Sequence, residues 1–196
     1  MNDFTPAAHS TIDPSSLFSP RGPQTTIVFV EADISDYQSL LAGLAPGTEV
    51  HVLDAGQDGL ARMARIMEGR SGIDALHVMS HGKEGHVSLG SLQLDSANLD
   101  AHAEELAIIR AALAPEANIL LYGCEIGAGS DGAAFVEKLA KATGADVAAS
   151  TNRTGASTLG GDWILENSTG TMSHYSPFSM NSLMSYTGIL PTNGTT

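Results

Sequence analysis

The sequence has one cysteine and few basic side chains, and each shortage excludes a class of protein. Cys124 is the only cysteine, so the chain cannot form an internal disulfide. The 9 basic residues are outnumbered by 22 acidic ones, and the formal net charge of −13 repels the phosphate backbone of a nucleic acid. We therefore expect no nucleic-acid partner.

Long apolar runs are also missing. No segment approaches the about 20 apolar residues that a membrane-spanning helix needs, and the first residues lack the basic region and apolar run of a conventional signal peptide. We therefore expect neither a membrane span nor such a signal. The 196 residues, 42% of them hydrophobic, are enough for one domain with a substantial core.

The sequence divides into an arm, a domain and a tail. Residues 1–24 are rich in proline, serine and threonine without an apolar period, which predicts a flexible arm. Residues 25–170 carry the strand and helix patterns of the domain. Residues 171–196 contain no Asp, Glu, Lys or Arg. We interpret them as a tail that either packs on the domain or forms a linker, and we favour the linker.

Short apolar runs alternate with amphipathic helical patterns throughout the domain. Five runs are predicted as strands, with a sixth candidate at the end: residues 25–30, 49–53, 75–80, 118–122, 146–149 and 163–165. A small hairpin is predicted over residues 86–94 and a long helix over residues 96–113. This alternation predicts a three-layer α/β sandwich, with a mostly parallel sheet in the order 2-1-3-4-5 and helices on both faces.

Two predicted strands end in residues that can do chemistry together. The third ends in His81-Gly82 and the fourth in Gly123-Cys124. Because parallel strands place their carboxyl ends at one edge of a sheet, we expect the imidazole and the thiol to share a cleft, with Sγ about 3 to 6 Å from a ring nitrogen. An imidazolium stabilises the attacking thiolate and then protonates the leaving amine. The N–H groups of Gly82 and Cys124 are the predicted oxyanion donors.

Each of these residues also has a purely structural interpretation. A lone cysteine at a strand end is often a small buried hydrophobic residue, and a lone histidine is often structural. A metal site on one strand is excluded because His77 and His81 would lie about 13 Å apart at about 3.3 Å per residue, too far to share one zinc ion. We expect no metal and no cofactor.

The segments ALHVMSHG at residues 75–82 and NILLYGCEIG at residues 118–127 resemble the caspase-like (clan CD) cysteine peptidases. The phrases LLYGCEIGAG, TGADVAASTNRTG and LGGDWILE are more closely similar to an uncharacterised domain near the N-terminus of very large bacterial surface repeat proteins. This resemblance implies a caspase-like fold. It also implies a secreted or cell-surface location as part of a bacterial protein, or a cytoplasmic one for a chain that stands alone.

The resemblance also implies where substrate binds. In that fold the loop after the first strand lines the pocket for the residue before the cut, so Glu31 and Asp33 favour a basic residue there. Asn152 and Arg153 are expected on the opposite wall, and Arg153 favours an acidic or uncharged residue. The expected substrate is a peptide or the protein's own chain. The alternative is an inactive module that serves as a structural or interaction domain of a repeat adhesin.

Overall fold

A six-stranded sheet forms the centre of the part of the chain that the computed structural model describes, residues 24–173 and 176–191. In chain order the strands are β1 (Thr26–Glu31), β2 (Glu49–Leu53), β3 (Ile73–Met79), β4 (Gly82–Lys83), β5 (His86–Leu89), β6 (Leu92–Asp95), β7 (Leu113–Tyr122), β8 (Asp146–Ala149) and β9 (Asn167–Ser168). The helices are α1 (Tyr37–Leu41), α2 (Gly59–Met67), α3 (Ala103–Ala112), α4 (Gly129–Thr143) and α5 (Met180–Ser185).

The sheet order confirms the predicted topology. Its strands run β2-β1-β3-β7-β8-β9, and the four pairs from β2 to β8 are parallel, whereas β9 pairs antiparallel with β8. The first five strands in this order are the five predicted ones. All six residues of β1 are buried, as expected for a parallel strand covered on both faces. Strands β4, β5 and β6 form a separate three-stranded antiparallel sheet.

Two apolar clusters cover the two faces of the sheet. We call the first face the one that packs against α2, α3 and α4, and the second face the one that packs against α1 and α5. Because side chains alternate along a strand, Ile27 and Phe29 of β1 lie on the first face, while Val28 and Val30 lie on the second. The three layers confirm the predicted α/β sandwich.

The helix predicted over residues 96–113 is shorter than expected at both ends. The Asp95 carboxylate accepts hydrogen bonds from the N–H groups of Ala97 and Asn98, at 2.8 and 3.0 Å, and holds this stretch in a turn. A 3₁₀ helix (Leu99–His102) follows, and α3 begins only at Ala103. At its C-terminus α3 ends at Ala112, because Leu113 is the first residue of β7.

Two further expectations fail near the C-terminus. Residues 163–165 form no strand, because Trp163 packs into the second-face cluster and its Nε1 donates to Leu183 O at 3.1 Å. The linker interpretation of residues 171–196 is wrong for residues 176–191, where Phe178 and Tyr186 are only 6% and 3% exposed. This segment belongs to the folded domain.

The predicted flexible arm lies outside the described residues except for Gln24. Within the described part of the chain, no helix has the length and apolar character that crossing a membrane requires.

Candidate active site at the ends of β3 and β7

The chain segments that follow β3 and β7 lie against each other. Ser80 N donates to Tyr122 O at 2.9 Å. A Cβ atom on Gly123 would lie 2.9 Å from Ser80 O, and one on Gly82 would lie 2.7 Å from Cys124 O. A residue other than glycine at position 82 or 123 would therefore force the two segments apart. The structure brings the predicted His81-Gly82 and Gly123-Cys124 pairs to one edge of the sheet.

Cys124 is fully buried, at 0% exposure, and its sulfur is hydrogen-bonded within the chain. Sγ donates to Leu190 O at 2.7 Å and accepts from Thr154 N at 3.4 Å. Burial raises the pKa of the Cys124 thiol, while the Thr154 N–H acts in the opposite direction and the Glu125 charge adds to the rise. The resting sulfur is therefore a protonated thiol that donates to a peptide carbonyl.

His81 is paired with a carboxylate. Its Nε2 lies 2.7 Å from Asp33 Oδ1, and its side chain is 17% exposed. Asp33 was predicted to bind substrate, and the structure places it against the imidazole instead. A carboxylate in this position fixes the orientation of the imidazole ring.

Glu31 lies beneath this pair. Its carboxylate is 1% exposed and accepts a hydrogen bond from Gly90 N, at 2.6 Å, in the turn between β5 and β6. Burial raises the pKa of Glu31 to about 7, against the lowering effect of the Gly90 N–H, and the nearby Asp33 charge contributes to the rise. Glu31 therefore supports the hairpin turn from inside the protein.

Asn152 and Arg153 contribute backbone contacts beside Cys124. Asn152 O accepts from Glu125 N at 2.8 Å, and Glu125 has a left-handed φ of 61°. The Asn152 amide donates to Asp162 at 3.0 Å, and Arg153 O accepts from Asp162 N at 3.0 Å. The first bond holds the loop after β8 against the loop after β7, and the two bonds to Asp162 fold the loop after β8 back on itself.

Sequence reasoning missed the last described residues of the chain. Leu190 O accepts from Cys124 Sγ, and Pro191 O accepts from Gly82 N at 3.4 Å. Both carbonyls therefore contact groups that were predicted to act on substrate. A short uncharged segment carries no periodic pattern that could have indicated this position.

The family comparison covers both strand ends and this last segment. A family described as a domain of unknown function, DUF4347, matches residues 27–190, from the first residues of β1 to Leu190. No curated protein and no solved structure matches the chain. Because the match extends over most of the sequence, the chain belongs to the DUF4347 family of domains of unknown function.

Proposed function

We propose that this domain is a cysteine peptidase of the caspase-like type, with Cys124 as nucleophile and His81 as general acid and base. The observation that supports the proposal is the backbone contact between residues 80–82 and 122–124, where two glycines let the segment that carries the histidine approach the segment that carries the cysteine. The resemblance of the two surrounding segments to caspase-like peptidases supports the same chemistry.

The proposed reaction has two steps. His81 takes the thiol proton, and Cys124 Sγ attacks the carbonyl carbon of the scissile peptide bond. The carbon–nitrogen bond then breaks, and His81 returns the proton to the leaving amine, which leaves an acyl thioester on Cys124. Water deprotonated by His81 hydrolyses the thioester, which releases the acid and restores the thiol. Asp33 holds the imidazole through Nε2, so these proton transfers use Nδ1.

Gly82 supplies the proposed oxyanion donor together with Cys124. The Gly82 N–H already donates to a peptide carbonyl, that of Pro191, and the same donor stabilises the charge that develops on a substrate carbonyl. The resemblance to a domain of bacterial surface repeat proteins supports a substrate in the same polypeptide or in a neighbouring module of a secreted or surface protein.

The second candidate function is a structural or interaction module without catalysis. The complete burial of Cys124 and its bond to Leu190 O favour it, because a protonated, buried thiol is inert. The two candidates differ in whether the domain hydrolyses peptides at all. The peptidase proposal further requires that this hydrolysis depends on Cys124 and His81.

The test incubates the full chain with a fluorogenic peptide library and follows its own fragments by mass spectrometry. The wild-type protein should hydrolyse a subset of the library, whereas Cys124→Ala and His81→Ala should each lose at least about 100-fold in rate. His102→Ala is the matched histidine control, since His102 lies at the start of α3 on the first face, and it should retain the wild-type rate. Equal activity in the wild type and Cys124→Ala would overturn the proposal.

A further inference from the structure

Residues 188–191 lie beside Cys124 as an added strand. Leu190 N donates to Thr154 O at 2.8 Å, Ala156 N donates to Gly188 O at 2.8 Å, and Ile189 pairs antiparallel with Gly155. This is the hydrogen-bonding pattern of a peptide bound along a strand edge. The pairing ends where the Leu190 and Pro191 carbonyls reach Cys124 Sγ and Gly82 N.

The loop after β8 is shaped for this approach. A Cβ atom on Gly155, whose φ is 138°, would lie 2.5 Å from Gly188 O, and one on Gly161 would lie 2.6 Å from Ile189 Cδ1. The approach at Gly155 is to backbone and leaves no room for a side chain, whereas a side chain at Gly161 would require Ile189 to shift, so Gly155 in particular opens the space that residues 188–191 fill. We call the space that residues 188–191 fill the groove; residues 154–156 lie along one side of it and Gly82 lies at its end.

The side chain next to the thiol is apolar. Leu190 is 0% exposed and belongs to the same cluster as Cys124, Ile34 and Tyr186. The acidic residues predicted to line this pocket are engaged elsewhere, Glu31 with Gly90 and Asp33 with His81. A leucine-sized side chain therefore fits the position beside Cys124.

We propose that this groove is the peptide-binding site of the domain, that residues 188–191 occupy it within the chain, and that it takes an extended peptide with leucine in the place of Leu190. This proposal rests on the proposed function in one respect, that the bound peptide reaches Cys124, the proposed nucleophile. Residues 188–191 act as an occupant that shields the thiol, because Sγ donates to Leu190 O and remains protonated.

The experiment measures how fast iodoacetamide labels Cys124, the only cysteine, in the full chain. Leu190→Asp places a charge in the apolar pocket and should free the groove, so labelling should be at least about tenfold faster than in the wild type. Leu159→Asp is the matched control, since Leu159 is 51% exposed, and it should label at the wild-type rate. Leu190→Ala provides a milder second variant if Leu190→Asp loses the near-ultraviolet circular dichroism of the folded domain.

A synthetic peptide then tests the groove directly. Acetyl-Tyr-Thr-Gly-Ile-Leu-Pro-amide repeats residues 186–191 and should slow the labelling of the Leu190 variant, whereas the same peptide with aspartate in place of leucine should not. Unchanged labelling in both Leu190 variants, or no protection by the leucine peptide, would overturn the proposal.

The outcomes separate this proposal from the peptidase proposal. Protection by the leucine peptide without hydrolysis of any library peptide retains the groove and rejects the peptidase. Hydrolysis that depends on Cys124, together with no protection by the leucine peptide, retains the peptidase and rejects the groove.

Discussion

The two faces of the sheet are buried by different kinds of structure. The first face is covered by α2, α3 and α4, which have 9, 10 and 15 residues. The second is covered by shorter elements, α1 and α5 with 5 and 6 residues, and by the irregular segment that ends at Leu190. Apolar clusters bury both faces, but the first is covered by three helices of regular period, whereas much of the second is covered by the segment after Trp163, which has little regular structure.

The difference has a functional consequence because Cys124 belongs to the second face. Short elements with few internal hydrogen bonds open at a lower free-energy cost than long packed helices. We therefore expect residues 176–191, which cover the thiol, to open at a lower free-energy cost than the helices of the first face.

The largest expected effect tests whether the second face is a true core. Phe135→Ala on the first face should lower the free energy of unfolding by about 3 to 5 kcal/mol. Phe178→Ala should lower it by about 3 kcal/mol, since Phe178 is 6% exposed and its ring lies 5.7 Å from that of Tyr122. Urea denaturation measures both.

Two probes sharpen this measurement. Circular dichroism reports the whole domain, and the fluorescence of the single tryptophan, Trp163, reports the second face. A loss below about 1 kcal/mol for Phe178→Ala would show that the second face contributes little to the fold.

The next effect concerns Glu31, the buried acid at the end of β1, and the pH dependence of stability that it causes. The folded protein raises the pKa of Glu31 from 4.5 to about 7 by burial. Folding therefore favours the protonated carboxyl of Glu31. The stability that this preference provides is fully present below pH 4.5 and is lost as the pH rises from 4.5 through about 7. Glu31→Gln should remove this loss and stabilise the protein at pH 8 by about 3 kcal/mol.

Thermal or urea unfolding between pH 4 and pH 8 provides the measurement. Glu104→Gln, on the exposed side of α3, is the control and should keep the pH dependence of the wild type. A pH dependence that persists unchanged in Glu31→Gln would assign it to another group.

The smallest expected effect comes from a single hydrogen bond that holds residues 176–191 over the second face. The Tyr186 hydroxyl donates to Ser35 O at 3.0 Å, and its ring packs 5.7 Å from that of Trp163. Tyr186→Phe keeps the ring and loses the bond, so the free energy of unfolding should fall by about 1 kcal/mol. The variant should also label faster at Cys124 than the wild type. Labelling at the wild-type rate or slower would show that the segment over Cys124 does not depend on this contact.

Some parts of the candidate site were predictable from residues close together in sequence. The apolar runs ending in His81-Gly82 and Gly123-Cys124 indicated two buried strands, and the short connections between elements indicated their order. The Gly90-Ser91 turn between β5 and β6 was also predicted, because turn residues flanked by alternating apolar residues are a local signal.

The roles of the acidic residues were not predictable in the same way. Asp33 meets His81, which is 48 positions away in sequence, and Glu31 meets Gly90, which is 59 positions away. A carboxylate can bind a substrate cation, an imidazole or a backbone N–H equally well. The pairing of β1 with β3 brings Asp33 to His81, and the packing of the hairpin against β1 brings Gly90 to Glu31.

The sequence alone therefore determined the sheet, its strand order and the position of His81-Gly82 and Gly123-Cys124 at one edge of the sheet, because hydrophobic periodicity and parallel-strand topology are local and general properties. The tertiary structure alone decided what covers that edge. Residues 188–191 reach Cys124 through backbone hydrogen bonds and one buried leucine, and backbone donors and acceptors are the same in every sequence.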